Sequence, residues 1–266
     1  MSLRSILSSA LSLLLLLTLV PAHADVLDTI LERGTIRVGV AEFVPWTLKN
    51  KDGELVGFEI DVANKVASDM GVAAEFQVYV WEDIIPALQK GEIDMIAGGM
   101  AITPARALQL NFSRPLAMSG VGLATHMKKT ANFASLKELD DQDIVIATVK
   151  DTFAANTATT MFPDAKIRIF ADRPAAEEAI LEGRAHAYLA SLPEVQFLVL
   201  KNSAVVDLPI TEPLVANSEA LGVKKGEQQL LNFLNAWVTA RKTDKWLSST
   251  RDYWFSSLDW VEDAAR

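Results

Sequence analysis

The stretch Gly98-Gly99-Met100-Ala101-Ile102-Thr103-Pro104-Ala105-Arg106 carries the clearest chemical signal in the chain. Thr103 is a good N-cap and Pro104 a good first helical residue, so this spacing predicts a helix that starts there. Arg106 then falls in the first turn, where the helix dipole disfavours a cation by about 0.3 to 1 kcal/mol. A bound anion reverses that sign. Free amides at the glycine turn and helix start, near Gly99 and Ala101 and with a guanidinium one turn away, can hold a carboxylate through charge-assisted hydrogen bonds. The competing reading is an arginine paired with a neighbouring surface acid, Glu82 or Asp83.

Other residues at chain positions suited to a site are aromatic or polar. Phe43, Trp46 and Trp81 follow segments that alternate like strands, at ends where α/β sheets place ligands. They could form a wall that stacks on a ligand, although core packing is the commoner use of any one aromatic. In the second half Lys150, Asp151 and Thr152 follow another strand. The Thr152 hydroxyl can cap the next helix and leave backbone amides for an anion, or simply cap it. Enzyme signatures are scarce: His126 and His186 have no serine or acid at a spacing that announces a triad, and no P-loop, G-x-S-x-G or G-x-G-x-x-G occurs.

Strands and amphipathic helices must alternate to position these residues. Ile36, Val38 and Val40 alternate as a strand, and Val62, Val66, Ala67 and Met70 recur at helical spacing until Gly71. A strand at Phe76 to Val80 follows, then a helix over 82–90 that stops at Gly91, then a short buried strand over 93–97. The second half repeats the scheme with a strand over 144–149, a helix after Thr152, a strand over 166–170 and a helix over 174–182. Residues 87–99 and 179–191 share one plan of helix, glycine stop, short strand and a small or polar tip, a grammar common to α/β proteins. A largely parallel α/β architecture follows. From Glu227 a helical pattern leads to an aromatic tail (Trp246, Tyr253, Trp254, Phe255, Trp260), expected to dock on a lobe.

Composition narrows the classes. The 266 residues hold 25 Lys+Arg against 34 Asp+Glu, no cysteine and three histidines. Such acidity disfavours nucleic acid and anionic membranes as partners. Without cysteine there are no disulfides, thiolate metal sites, cysteine nucleophiles or cysteine-linked lipid. Arg4, the apolar run from Leu11 to Val20 and Pro21-Ala22-His23-Ala24 read as an export signal over residues 1–24, cleaved before Asp25. The mature chain then carries 24 basic and 34 acidic residues, a charge of −10. A protein free in a periplasm is the natural expectation, with no metal and no cofactor.

Taken in order, Gly34-Thr35-Ile36-Arg37-Val38-Gly39-Val40, Phe43-Val44-Pro45-Trp46, Gly57-Phe58-Glu59-Ile60-Asp61, the stretch Gly91 to Arg106, Asn111 to Pro115 and Leu181 to Ala185 resemble the bacterial extracellular solute-binding proteins of the polar amino-acid class. Gly-Phe-Glu-Ile-Asp followed at this separation by Ile-Thr-Pro-x-Arg is the specific part of the pattern. The resemblance implies a two-lobed periplasmic binding protein-like fold (type II), two α/β lobes joined by two hinge strands. Lobe 1 would comprise residues 25–121 plus 215–266, and lobe 2 residues 122–214. It further implies that Arg106 holds a ligand carboxylate, helped by Gly99, Ala101 and Thr152, and that Phe43, Trp46 and Trp81 line a side-chain pocket. The expected partners are a small carboxylate-bearing solute and an ABC permease in the inner membrane, with the protein itself a monomer.

Three positions depart from the family pattern. Ser191 stands where an Asp usually meets the ligand ammonium, Lys150-Asp151 replaces Gly-Thr, and Arg114-Pro115-Leu116 replaces Asp-Pro-Tyr. A buried ammonium without a carboxylate partner is costly. Either Asp151 or Glu194 supplies that charge, or the ligand has no free α-ammonium, and Lys150 would favour a second acidic group. The alternatives in function are an enzyme of the cyclohexadienyl dehydratase kind on the same fold, disfavoured by Phe153-Ala154 after Thr152, and a sensing module for a membrane receptor.

Overall fold

The computed structural model describes residues 25–257 and 259–264; the expected export signal lies outside them. The chain begins with α1 (Val26–Arg33), β1 (Thr35–Val40), β2 (Leu48–Lys49), β3 (Leu55–Val56), α2 (Phe58–Met70) and β4 (Ala73–Val78). A 3₁₀ turn at Trp81–Asp83 leads into α3 (Ile84–Lys90), β5 (Met95–Ile96), α4 (Pro104–Ala107) and β6 (Asn111–Phe112). Then come β7 (Ala117–His126), β8 (Val145–Val149), α5 (Phe153–Met161), β9 (Lys166–Phe170), α6 (Arg173–Leu181), β10 (Ala187–Ser191), α7 (Leu192–Lys201), β11 (Val206–Asp207) and β12 (Val215–Glu219). Then follow β13 (Gly222–Val223), α8 (Gln228–Thr243), α9 (Trp246–Phe255) and a 3₁₀ turn at Asp259–Glu262.

These elements form two α/β lobes around separate sheets. The first sheet has the order β4-β1-β5-β13-β6, the second β11-β7-β10-β8-β9 with β12 added on β7. Within each sheet the strands expected from alternation are parallel: β1 with β4 and β5, β8 with β9 and β10. Two strands depart from a parallel scheme: the long β7 runs antiparallel to β10, β11 and β12, and β13 antiparallel to β5 and β6. The chain passes from β6 in the first sheet to β7 in the second, and returns from β12 to β13. Two adjacent antiparallel strands, β7 and β12, therefore stand at the crossing.

Each lobe has its own core. Ile36, Val38, Val62, Val66 and Met95 gather with Leu230, Leu234 and Trp237 in the first, so the helical stripe after Glu227 closes back onto β1. Trp254 and Trp260 of the aromatic tail join that core, and Phe197 from α7 stacks on Trp260 at 5.5 Å. The tail thus docks as its composition suggested, and also touches the second lobe. Just before β5 the buried Asp94 carboxylate pairs with Arg33 and Arg37 and accepts from the Arg37 amide at 2.8 Å. Asp94 follows the Gly91 stop and ties the end of α1 to β1, which fixes the register of β5 beneath the Gly98-Gly99 loop.

Among the described residues no helix is long and apolar enough to cross a membrane.

Candidate functional site

A cavity of about 510 Å³ opens between the two lobes. Its walls come from chain segments that leave the carboxyl ends of strands, the place where open α/β sheets bind ligands. Residues 41–43, 78–81, 99, 101 and 106 contribute from the first lobe; 149, 152–154, 171–174, 188–191 and 194 from the second; and the crossing strands add 120, 121, 217 and 219.

Arg106 is only 9% exposed and faces this cavity. Thr103 caps the turn as expected, its hydroxyl accepting from the Arg106 amide at 3.2 Å, with Pro104 at the first position. The helix itself is a single turn, Pro104–Ala107, too short for a macrodipole to matter. The capacity to bind an anion therefore rests on the guanidinium, because the Gly99 amide expected to help it is taken up by the Glu59 carboxylate and the Ile102 amide by Ser218 O. Nη1 donates to Ala101 O at 3.0 Å and Nη2 to Asp151 O at 2.9 Å. A guanidinium has five N–H donors, so most of its hydrogen-bonding capacity remains for a ligand. Among the described residues no carboxylate forms a salt bridge with it: Glu82 pairs with Lys150 instead. Burial pushes the Arg106 pKa down to about 10, against a smaller opposing effect of Asp151, and the group stays cationic at neutral pH.

Trp81 lies over this guanidinium, its ring centroid 5.4 Å from Cζ. Its indole Nε1 also donates to Asp151 O, at 3.1 Å. Asp151 is in the left-handed region, with φ of 58°, and turns its carbonyl toward the first lobe, where it receives both donors. Arg106, Trp81 and the Glu82–Lys150 pair thus tie the lobes together at the cavity edge. Trp81→Phe keeps a ring over Arg106 and removes one of these bonds. It is expected to weaken ligand binding by about threefold to tenfold, chiefly through faster dissociation in stopped-flow measurements.

The structure brings together most of the residues singled out by sequence: Arg106, Gly99, Ala101, Phe43, Trp81, Thr152 and Ser191 all line the cavity. Three others need correction. Trp46 is 0% exposed and lies behind Phe43, stacked on it at 4.3 Å with 7° between the rings, so it backs the wall without facing a ligand. A tryptophan after a strand can serve either purpose, and here the tight turn closed by hydrogen bonds between Phe43 and Thr47 folds it inward. Lys150 is exposed and held by Glu82 outside the lining, which removes the reason for expecting a second acid on the ligand. Asp151 offers its carbonyl to the first lobe, and its carboxylate is not part of the wall.

Ser191 caps α7, its hydroxyl accepting from the Glu194 amide at 3.4 Å, and so presents Glu194 one turn on. Glu194 is buried, lines the cavity and accepts a hydrogen bond from the Tyr188 hydroxyl. Burial raises its pKa to about 7, with Arg173 and Tyr188 acting in the opposite direction. Thr152 caps α5, its hydroxyl accepting from the Ala155 amide at 3.1 Å.

Two acids below the glycine loop escaped the sequence reading as site residues. Glu59 Oε1 accepts from the Gly99 amide at 2.9 Å and so fixes the loop. Glu219 Oε2 accepts from Trp46 Nε1 at 2.9 Å, and the residue borders the cavity. Glu59 stands inside a motif that was read only as a family landmark, and Glu219 ends a strand with no hydrophobic alternation. Neither carried a local signal.

The chain matches the bacterial extracellular solute-binding proteins, family 3, over residues 36–257. It is 25% identical over 239 residues to the L-cystine-binding protein TcyJ of Escherichia coli (strain K12), covering 89% of this chain and 88% of TcyJ. Among solved structures, the ancestral amino acid-binding protein AncCDT-1, a precursor of cyclohexadienyl dehydratase, superposes with a TM-score of 0.79 at 32% identity, covering 87% of this chain and 100% of that one. An ancestral arginine-binding protein bound to arginine gives a TM-score of 0.77 at 29% identity, covering 84% and 99%. With two lobes, a cleft at their strand ends and a match over nearly all the described residues, the chain belongs to the bacterial extracellular solute-binding proteins, family 3.

Proposed function

We propose that this protein captures an amino acid or a close derivative in the interlobe cavity, holds its carboxylate on Arg106, and delivers it to an ABC permease in the inner membrane. The observation that supports this reading best is Arg106 itself: a buried guanidinium on a cavity wall, unpaired with any acid among the described residues, with donors to spare. Gly99, Ala101 and Thr152 lie beside it on the wall and complete the surroundings of a bound carboxylate. Phe43 and Trp81 are the aromatic surfaces for the rest of the ligand. Glu194, one turn beyond Ser191, is the acid that meets an α-ammonium in this cleft. TcyJ and the arginine-binding relative, named for amino-acid ligands, agree with the class.

Lobe 1 is assigned residues 25–121 plus 215–266 and lobe 2 residues 122–214, so that β7 and β12 serve as the hinge. Closure is driven by contacts that exist only when the lobes meet, those from Trp81 and Arg106 to Asp151 and from Lys150 to Glu82. The protein acts in the periplasm as a monomer and not as an enzyme, since Phe153 and Ala154 place no acid at the start of α5. The test is a thermal-shift screen of the purified protein against the common amino acids, dicarboxylates and prephenate. The expected result is stabilisation by one or a few amino acids and no turnover of prephenate. Stabilisation by dicarboxylates alone, or release of an aromatic product, contradicts the reading.

A further inference from the structure

Away from the ligand cavity, the lobes also touch through the aromatic tail. Phe197 of α7 stacks on Trp260 at 5.5 Å, with 27° between the rings, and packs against the core of the first lobe. Lys201, one turn on, lies over the Phe197 ring with Nζ 4.5 Å from its centroid. Beside the stack runs a groove of about 290 Å³, lined by Pro45 and Trp254 from the first lobe and by Pro193 and Leu200 from the second. The seam is therefore only partly filled. The two rings meet across it without the continuous close packing of a core.

Both rings are mounted firmly on their own lobes. Trp260 Nε1 donates to Trp254 O at 2.9 Å, and Trp254 Nε1 donates in turn to Asp61 Oδ2 of α2 at 2.7 Å. Arg251 of α9, just ahead of the tail, donates from Nη2 to Met118 O at 2.8 Å, close to where β7 leaves the first lobe. On the other side, α7 follows β10 with no loop between them. The Tyr188–Glu194 hydrogen bond and the close packing of Leu192 and Val195 on Gly122 of β7 hold it to the second sheet. When one lobe turns about β7 and β12, neither ring is free to follow the other. The turn has to alter the stack.

We infer that Phe197 and Trp260 form a closure latch, a contact made in the closed form and given up on opening, which sets ligand affinity from outside the cavity. The inference rests on the reading that closure of the lobes captures the ligand. Phe197 is then a positioning residue for capture: neither ring lines the cavity, so the latch acts on the population of the closed form and on no ligand contact. A protein whose competent state is only partly populated binds with an affinity reduced by that fraction. An aromatic pair contributes enough to change such a population by about threefold to tenfold. Helix α7 carries Glu194 in the cleft and Phe197 at the latch, so a single helical turn joins the two.

The chain has no cysteine, so nitroxide labels can be placed through Leu108→Cys and Ile169→Cys, exposed positions on the first and second lobes, and their separation read by pulsed electron spin resonance. A mixture of the common amino acids is the probe. The labelled protein should show a long and a short distance, with the short one growing as the mixture is added. Phe197→Leu should need about threefold to tenfold more of the mixture for the same shift, whereas Phe197→Tyr, which keeps a ring on Trp260, should match the parent. A merely structural role lowers the melting temperature and leaves the distances as they were. An unchanged titration, or a shift of Phe197→Leu toward the short distance, overturns the latch. If the mixture moves neither protein, the capture reading fails, and the distances without it decide the latch: fewer short distances in Phe197→Leu support it, and equal populations overturn it. Phe197→Met, a second ringless side chain, takes the place of Phe197→Leu if that variant does not fold.

Discussion

Arg106→Ala should weaken the binding of an amino-acid ligand by about two to three orders of magnitude in calorimetry, with only a small change in melting temperature. Charge-assisted hydrogen bonds contribute roughly 1.5 to 3 kcal/mol each, and a guanidinium can make two of them to one carboxylate. The site is desolvated, so water does not replace them cheaply: Arg106 is 9% exposed and roofed by Trp81 at 5.4 Å. The same side chain reaches the other lobe through Asp151 O, so its loss also weakens closure. Arg106→Lys should not restore affinity. An ammonium cannot hold Ala101 O and Asp151 O in a planar fork and still present parallel donors to a carboxylate. Stability should change little, because removing the arginine takes a desolvated, unpaired charge out of the cleft.

Gly99→Ala is the second substitution with a large expected effect. Gly99 has φ of +62°, and a Cβ there would lie 2.7 Å from Trp46 Nε1 and 2.9 Å from Cδ1. Trp46 cannot retreat, being fully buried between Phe43, Phe255 and the Glu219 carboxylate. Left-handed backbone costs an L-residue about 1 to 2 kcal/mol, and overpacking adds about 1 to 3 kcal/mol. We expect a loss of roughly 2 to 4 kcal/mol in urea unfolding and at least about tenfold weaker binding, as the loop bearing Ala101 is pushed off its place. Gly53→Ala separates the two causes. Gly53 also has positive φ, +83°, but open space around it, so it should show only the backbone cost and unchanged affinity.

Much of the fold was legible because burial and periodicity coincide. The strand expected over 166–170 is β9, Lys166–Phe170, and the stops at Gly71, Gly91 and Gly183 all have positive φ. Strand β7 was illegible for a physical reason. From Gly120 to His126 it is buried at every position, and its glycines give way to Pro213, Leu192 and Val195, so no alternation remains to be read. Helix α7 begins directly from β10 at Ser191, with no loop to announce it.

The candidate site divides along similar lines. Arg106 was visible because its N-cap, proline and glycine loop are local features. Glu219 was not, because what makes it notable is an indole supplied from 173 residues away and a cavity wall built from both lobes. Trp46 and Phe43 look alike in sequence, three residues apart. Only the packing of Phe255 and Gly99 against Trp46 decides which ring faces the cleft.

The central claim is that Arg106 binds the carboxylate of the ligand, and a cycle on both partners tests it most directly. Arginine and agmatine differ by that carboxylate, and wild type and Arg106→Ala differ by its partner. Calorimetry should show the arginine variant losing about two orders of magnitude for arginine and almost nothing for agmatine, a coupling of about 3 kcal/mol. Equal losses for arginine and agmatine, leaving no coupling between the guanidinium and the carboxylate, would contradict the account.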